Sequence, residues 1–460
     1  MPTPQPHTDT QPLTRLSATD MARLVRAREL DPVELVEATL RRIDEVEPQL
    51  HAFAHVMPDS ARAQAEALRR RSDVDTLPLA GVPVAVKDNV AVAGEPTTHG
   101  SRATSRQPEA EDALLVQRLR QAGAIVVGRT VMPELAIWPF TEPEAYAPAR
   151  NPWNRERTPG GSSGGSAVAV AAHMAALAVA SDGGGSIRIP AACCGIVGVK
   201  PAPGVVPVPG ERGEHWYGLS AFGCLARSVD DAALGVDVMA GTTAYRDPQA
   251  PGGALRIAVS TRHPVFGAPV SREVRDAVAA VAAVLGDAGH EVRRANPRYP
   301  MLPTQFTSRW LAGIAQDAEG LDLEQMESRT RAMARRGRRA QRKVQPVAQS
   351  AFAAYARRWF ADHDVLLAPI TAAPPVRIGR WQGKSWLPTM LGVARWMGFA
   401  NMWNVAGAAA VAIPAGTSGD GLPIGVQLVG PAGSEARLLA VAAQVERLRP
   451  FPALPEPAAG

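Results

Sequence analysis

The stretch TPGGSSGGSAVAVAAHMAALAVASDGGGSIRIP, residues 158–190, contains two Gly/Ser loops on either side of an apolar segment. No charged residue lies between Ser166 and Ser181. A Gly/Ser run is often a flexible linker between domains, but both flanks of these loops are apolar and suited to burial. Glycine allows close backbone approach, and successive amides in a glycine turn can converge on an anion. The stretch therefore predicts two loops of one buried site rather than a linker.

Three side chains could supply chemistry to such a site. Ser162 lies in the first loop and Ser186 in the second, and Lys87 lies in the apolar run GVPVAVKDNV, residues 81–90. A serine hydroxyl is a weak nucleophile unless a base removes its proton. A lysine is such a base only when it is neutral, and burial favours the neutral form. A lysine that ends a strand and extends to water is the alternative interpretation of Lys87.

The second loop also offers hydrogen-bond donors. Four successive amides in DGGGS, residues 182–186, could converge on the negatively charged oxygen of a reaction intermediate, as the donors of an oxyanion hole do. They belong to Gly183, Gly184, Gly185 and Ser186. The alternative is an ordinary helix start before SIRIP. The loop thus predicts an electrostatic role beside the candidate serine.

The composition predicts a globular cytoplasmic protein. The chain has 460 residues, of which 46% are hydrophobic and 20% charged, and its net charge is +5. Residues 1–14 lack the apolar core of a secretory signal, and the Ala/Val segment 167–180 is too short to span a membrane. The basic run Arg331–Lys343 has no interleaved aromatic residues, so we expect a solvated helix face and no nucleic-acid partner. The three cysteines show no metal-type spacing and predict reduced thiols.

Helix and strand patterns alternate along the chain. Asp31 and Pro32 predict a helix start, whereas GVPVAVKDNV and AIVVGR are β-branched runs typical of buried strands. Further strands are predicted at 255–260, 364–370, 408–414 and 423–430, and further helices at 271–288 and 434–448. Such alternation predicts an α/β fold, a single large domain whose central mixed, mostly parallel β-sheet is covered by helices on both faces. We place this domain at 15–450 and expect flexible tails at 1–14 and 451–460.

The motifs and their order resemble the amidase signature family. The family's stretch reads GGSSGGS and then D-x-GGSIR-x-PA, and this chain has PGGSSGGS and DGGGSIRIPAACCGIVGVKP at the expected separation. GVPVAVKDNV matches the family's lysine motif, and GLSAFGCLARSVDDAAL and GLPIGVQLVGP match its later landmarks. The resemblance covers about residues 15 to 450 and implies the amidase signature fold.

The resemblance also implies a Ser-Ser-Lys triad that hydrolyses amides. Ser186 is then the nucleophile that forms an acyl-enzyme. Ser162 is the bridging serine, held by a cis peptide after Gly161, and Lys87 is the ultimate base. No metal or organic cofactor is implied.

Asp182 and Arg188 match family positions that brace the two loops. The chain departs from the family at Gly183, where Thr or Ile is more usual; the glycine retains the amide but is expected to loosen the loop. Cys224 stands where proline is common, and we expect no functional consequence.

Three alternatives to a free-standing amidase remain open. GSSGG, residues 161–165, fits the G-x-S-x-G nucleophile elbow of α/β-hydrolases with Ser163 as nucleophile, but that motif needs a hydrophobic strand before it and here follows NPWNRERTPG. The chain could instead be the amidase-like glutaminase subunit of a tRNA-dependent amidotransferase complex. A non-catalytic binding protein on this fold is the third alternative, and the intact triad argues against it.

Aromatic residues indicate the substrate class. Four of the nine tryptophans fall in one short segment, together with Met390, Met397 and Phe399. Core packing is one explanation of such a cluster, and an acyl pocket in a variable region of the family is the other. We predict a pocket lined by Trp216, Tyr217, Trp396 and Trp403. The expected substrate is an amide with an apolar or aromatic acyl group that releases ammonia or a small amine, and a homodimer is left open.

Overall fold

The computed structural model describes residues 12–210, 213–301, 304–342, 344 and 350–455. Its strands, numbered in chain order, are β1 (Phe53–Val56), β2 (Pro83–Lys87), β3 (Ile125–Thr130), β4 (Leu177–Asp182), β5 (Val197–Lys200), β6 (Ala221–Ala226), β7 (Arg256–Val259), β8 (Glu291–Arg294), β9 (Val365–Pro369), β10 (Ala409–Thr417) and β11 (Pro423–Gly430). Its α-helices are α1 (Ala18–Arg26), α2 (Pro32–Leu50), α3 (Pro58–Arg69), α4 (Leu114–Gln121), α5 (Gly164–Ala171), α6 (Arg188–Cys194), α7 (Val229–Ala240), α8 (Arg272–Asp287), α9 (Thr304–Asp317), α10 (Ser328–Ala340), α11 (Ala351–Asp362), α12 (Trp386–Met397), α13 (Asn401–Val405) and α14 (Glu435–Leu448).

The strands join one 11-stranded sheet in the order β1-β3-β2-β4-β6-β5-β10-β11-β9-β7-β8. The predicted single domain with a mixed sheet flanked by helices is confirmed. The predicted excess of parallel pairs is wrong, because four neighbouring pairs are parallel and six are antiparallel. A short turn at 418–422 joins β10 and β11 as a hairpin. The pair is therefore antiparallel, because parallel strands need a long crossover connection. The central strands β5 and β6, which the sequence prediction omitted, add further antiparallel pairs.

β2 and β4 position the candidate site. The two strands run parallel, with Val86 opposite Val179, so their carboxyl ends meet at the same edge of the sheet. Every residue of both strands is buried. Lys87 ends β2, and Ser181 and Asp182 end β4, so polar side chains of both strands come together at this edge. Ligands of open α/β sheets commonly bind at the carboxyl ends of parallel strands.

The apolar segment between the two loops divides into a helix and a strand. α5 begins at Gly164, directly after the first loop, and all of its residues are buried. Its small side chains allow close packing against β2, β4 and α6. A flexible linker has no such buried continuation, so the linker interpretation does not hold.

Several helix boundaries follow the capping signals of the sequence. The Asp31 side chain accepts from the Val33 amide at 2.8 Å and caps α2, with Pro32 at its first position. The region 305–361 contains most of α9, all of α10 and most of α11. Residues 343 and 345–349 of that region lie outside the described residues.

Some described residues just outside the predicted domain limits of 15 and 450 pack against the core. Leu13–Arg15 form a short 3-10 helix in which Thr14 is buried. Phe451 and Leu454 pack against the core. Leu13, Phe451 and Leu454 thereby remove apolar surface from water, which favours their packed position. The rest of the two predicted tails, 1–11 and 456–460, lies outside the described residues.

Candidate active site

Lys87 is fully buried at the end of β2. Its Nζ atom donates to Ser162 Oγ at 2.7 Å and to Ser181 Oγ at 2.9 Å. Burial lowers the pKa of Lys87 to about 7, although the Asp182 carboxylate opposes this shift. The lysine therefore does not extend to water, and its neutral amine is populated near neutral pH.

The first loop reaches this lysine through a cis peptide bond between Gly161 and Ser162, as the resemblance implied. A Cβ atom on Gly161 would lie 2.7 Å from the Phe140 amide nitrogen, so a larger residue does not fit there. The Ser163 amide donates to the Ser186 carbonyl at 3.3 Å. This backbone bond joins the two loops and brings both candidate serines to one place.

Ser186 lies where the second loop meets an open cavity, and it is partly exposed. Lys87 and Ser162 are in direct contact, but no hydrogen bond joins Ser162 Oγ to Ser186 Oγ in the part of the chain that the structure describes. Of the two contacts that the predicted relay needs, the structure thus contains the one between Lys87 and Ser162. Catalytic hydrogen bonds are often long in unliganded enzymes and shorten when substrate binds.

Asp182 holds the second loop in shape. Its two oxygens accept from the Gly185 amide at 2.6 Å and from the Ile187 amide at 3.2 Å. Arg188 donates to the same carboxylate at 2.9 and 3.1 Å. Burial alone would raise the pKa of Asp182, but the Arg188 guanidinium holds that pKa well below its usual range. This geometry agrees with the bracing role expected for both residues.

The bond to Asp182 changes the predicted oxyanion hole. Its inclusion of the Gly185 amide is wrong, because that amide already has an acceptor. Within the described residues, the amides of Gly183, Gly184 and Ser186 donate to no protein acceptor. These three amides remain the candidate donors.

Two residues far along the chain complete the brace, and the sequence analysis missed them. Arg188 donates to Asn404 Oδ1 at 2.7 Å and to Gln427 Oε1 at 2.8 Å. Asn404 Nδ2 in turn donates to Asp182 Oδ1 at 2.9 Å. Both residues lie in otherwise apolar runs, NVAGAAAVAIP and GLPIGVQLVG. A polar side chain in a buried element needs a partner, and this was the available signal.

Ser181 is a third residue that the sequence analysis missed. Its hydroxyl accepts from Lys87 Nζ at 2.9 Å and from Asn89 Nδ2 at 3.1 Å. The hydroxyl therefore fixes the lysine beside Ser162. Its position immediately before Asp182 was the only sequence signal for this role.

An apolar cavity opens beside Ser186. Its walls come from residues 136–139, from α9, from α12 and from the second loop. The large apolar side chains that line it are Trp138, Trp216, Phe306, Trp310, Met390 and Met397. Trp216 thus lies in the pocket for which it was predicted.

Trp403 and Tyr217 were also predicted for the pocket, but neither lines the cavity. Trp403 is fully buried in an aromatic cluster with Tyr299, Phe352 and Phe360. Core packing therefore explains Trp403. Tyr217 follows Trp216 in the chain, and only the tryptophan of this pair faces the cavity.

Trp396 was the remaining incorrect prediction for the pocket. Its indole Nε1 donates to the Ala373 carbonyl at 3.2 Å, and the residue lines a separate groove. Met390, Val393 and Met397 of the same helix line the cavity. Because helix α12 turns once every 3.6 residues, Trp396 lies on a neighbouring face.

A buried lysine bonded to a serine, beside a glycine loop with free amides and an apolar cavity, defines a class of hydrolases that activate a serine hydroxyl. The family model described as Amidase matches residues 34–439. The chain belongs to the amidase family and is an amide-hydrolysing enzyme. The resemblance to the amidase signature family is thereby confirmed.

Relatives and solved structures match nearly the whole chain. AmiB2 from Mycobacterium tuberculosis (strain ATCC 25618 / H37Rv) is 42% identical over 459 residues. The match covers 96% of this chain and 98% of that protein. The structure of a 6-aminohexanoate cyclic dimer hydrolase has a TM-score of 0.86 at 33% identity, covering 95% of this chain and 98% of that one. A bacterial aryl acylamidase has a TM-score of 0.82 at 26% identity, covering 96% and 98%. These findings do not favour the glutaminase-subunit alternative.

The described part of the chain also bears on membrane spans, metal sites and disulfide bonds. No helix there is long and apolar enough to cross a bilayer. The same residues contain no group of three or more His, Cys, Asp or Glu side chains that could hold a metal ion. Cys193, Cys194 and Cys224 are buried and free of disulfide bonds.

Proposed function

We propose that the enzyme hydrolyses a carboxylic amide through an acyl-enzyme on Ser186, with Lys87 as base and Ser162 as the bridge between them. The observation that carries this proposal is the 2.7 Å contact between the buried Lys87 amine and Ser162 Oγ. The pKa of Lys87, lowered to about 7 by burial, leaves much of the amine neutral at physiological pH. A neutral amine beside a hydroxyl can accept its proton.

The first half of the reaction moves one proton toward the lysine. Lys87 accepts the Ser162 proton, Ser162 accepts the Ser186 proton, and Ser186 Oγ attacks the amide carbonyl carbon. The carbonyl oxygen becomes an oxyanion, and the free amides of Gly183, Gly184 and Ser186 are its candidate donors. The proton then returns through Ser162 to the amide nitrogen as the C–N bond breaks, and ammonia or an amine leaves.

The second half of the reaction restores the enzyme. A water molecule gives its proton to the same relay and attacks the acyl-ester carbon on Ser186. The ester C–O bond breaks, Ser186 regains its proton, and the carboxylic acid leaves. Lys87 thus serves both halves, and the proton that returns to Ser186 comes from the attacking water molecule.

The cavity supports an apolar or aromatic acyl group in the substrate. Its large lining side chains are aromatic rings and methionines, which offer apolar contact area and no charge. Each buried CH₂ group of a substrate contributes about 0.8 kcal/mol. Phenylacetamide and benzamide should therefore be better substrates than acetamide, glutamine or asparagine.

The test is a comparison of kcat/KM across these five amides with the purified chain alone. We expect phenylacetamide to exceed acetamide at least about tenfold. Ser186→Ala should lower kcat by about 10⁴- to 10⁶-fold. Ser163→Ala is the matched control and should retain activity, because the Ser163 hydroxyl donates its proton to the Ser181 carbonyl, at 3.2 Å, and so is not directed at the candidate nucleophile.

Two results would contradict the proposed substrate class or the proposed free-standing enzyme. One is glutamine or asparagine as the best substrate. The other is turnover that appears only when partner subunits and tRNA are added. A cytoplasmic location and a homodimer remain further proposals, which cell fractionation and light scattering of the purified protein test.

A further inference from the structure

One face of α9 is shaped around the indole of Trp216. Phe306, Trp310, Gly313 and Asp317 follow one another at spacings of four, three and four residues, so they share a face of the helix. The first two line the catalytic cavity. Gly313 and Asp317 continue the same face toward Trp216.

Gly313 and Asp317 contact the indole directly. The Trp216 Nε1 atom donates to Asp317 Oδ2 at 2.7 Å. A Cβ atom on Gly313 would lie 2.3 Å from Trp216 Cδ1, so the helix admits the indole only because residue 313 is glycine. The helix thus offers both a space for the ring and an acceptor for its N–H group.

The opposite side of the indole lies on the second catalytic loop. A Cβ atom on Gly183 would lie 2.7 Å from Trp216 Cε3 and 2.9 Å from its Cζ3. This contact explains the Gly183 departure from the usual family sequence, since the indole occupies the space that a Thr or Ile side chain needs. The ring is therefore held between α9 and the loop that carries the candidate oxyanion donors.

The backbone of the Trp216 segment needs such support. Trp216 and Tyr217 have φ values of 53° and 55°, in the left-handed region that non-glycine residues rarely adopt. His215 stacks on the indole with ring centroids 5.1 Å apart, and its Nε2 lies 3.2 Å from the same Asp317 oxygen. Asp317 is thus the common partner of both rings.

We infer that Trp216 is a specificity-determining residue of the acyl pocket and that Asp317 is the positioning residue that fixes its indole against Gly183. This inference rests on the proposed function, because it concerns the acyl group that Ser186 receives. When Asp317 is lost, the indole can leave its place, and the pocket loses contact area for large acyl groups. A small acyl group such as acetyl does not reach that wall and should be little affected.

A double-mutant cycle tests the inference. Trp216→Phe removes the N–H donor, and Asp317→Ala removes its acceptor. Each should lower kcat/KM for phenylacetamide about tenfold and that for acetamide less than about threefold. In the Trp216→Phe background, Asp317→Ala should cause less than about a twofold further change, because the Trp216–Asp317 bond is already absent and the remaining His215–Asp317 contact does not hold the indole. Asp317→Asn retains an acceptor oxygen and should recover most of the activity, and the exposed Glu319→Ala is the matched control.

A spectroscopic measurement keeps the inference testable apart from turnover. The indole ¹H–¹⁵N resonance of Trp216, assigned by its absence in Trp216→Phe, should move in Asp317→Ala and stay in place in Glu319→Ala. An unmoved resonance overturns the inference. So does an Asp317→Ala effect that is equal for both amides or undiminished in the Trp216→Phe background. If the wild-type enzyme hydrolyses neither amide, the proposed function fails, while the resonance still shows whether Asp317 fixes Trp216.

Discussion

Two buried lysines have similarly lowered pKa values but different hydrogen-bond partners. Lys87 and Lys200 are both fully buried, and burial lowers the pKa of each to about 7. Lys87 Nζ donates to two serine hydroxyls, whereas Lys200 Nζ donates to the carbonyls of Pro201 and Ala408. A hydroxyl can give its proton to a neutral amine, whereas a carbonyl has no proton to give. Only Lys87 is therefore placed to act as a base.

The pH dependence of activity follows from this difference. Below about pH 7 the Lys87 amine is protonated and cannot accept a proton, so kcat/KM should fall about tenfold per pH unit there and level off above it. Lys87→Met should lose most turnover at every pH. Initial rates between pH 5 and 10 measure this profile. Lys200→Met is the control and should keep the acid limb. If the acid limb disappears in this variant, the titrating group is Lys200, and the role assigned to Lys87 is contradicted.

Local sequence was sufficient to identify the three triad candidates, but it could not show which backbone amides of the second loop are free to donate. Lys87, Ser162 and Ser186 each lie in a short motif that matches the amidase signature family, and the resemblance implied their roles. The pairing of the Gly185 amide with Asp182 depends on the path of the loop, at 2.6 Å. No spacing in the sequence reports that path, so the free and occupied amides could not be distinguished.

At the scale of elements, local signals identified β2, β3 and α2 but not the boundary between α5 and β4. β2 and β3 were recognised because they are β-branched, and α2 because its cap is local. The segment before the second loop is rich in Ala and Val throughout, so its pattern could not separate α5 from β4. Both elements are fully buried, which removes the alternation that normally distinguishes a strand from a helix.

The brace between α6 and the second loop predicts a large stability effect. Asp182→Asn leaves the buried Arg188 guanidinium without its countercharge and should lower the free energy of unfolding by about 3–5 kcal/mol. Asp73→Asn breaks the exposed Arg71–Asp73 pair, whose atoms are 2.7 Å apart, and should leave the free energy of unfolding almost unchanged, because solvent weakens an exposed pair. Urea unfolding followed by circular dichroism measures both variants. A similar change in the free energy of unfolding for both variants would contradict the expectation that burial makes the Asp182–Arg188 pair the stronger one.

At the scale of the whole molecule, the cavity is assembled from segments that are far apart in the chain. Its walls combine residues 136–139, Trp216, α9 and α12. The sequence indicated Trp216 but assigned Trp396 and Trp403 to the same wall, because a cluster of tryptophans in sequence says nothing about which faces turn inward. That information exists only after the sheet has placed these helices around the second loop.

The central claim is that Ser186 is the acylated residue, and covalent labelling tests it most directly. The purified enzyme is treated with phenylmethanesulfonyl fluoride, digested, and its peptides are sequenced by mass spectrometry. The account predicts one adduct, on Ser186, which is absent in Ser186→Ala and forms more slowly in Lys87→Met because the base is missing. An adduct on Ser163, with Ser186 unmodified, would contradict the account and support the nucleophile-elbow alternative.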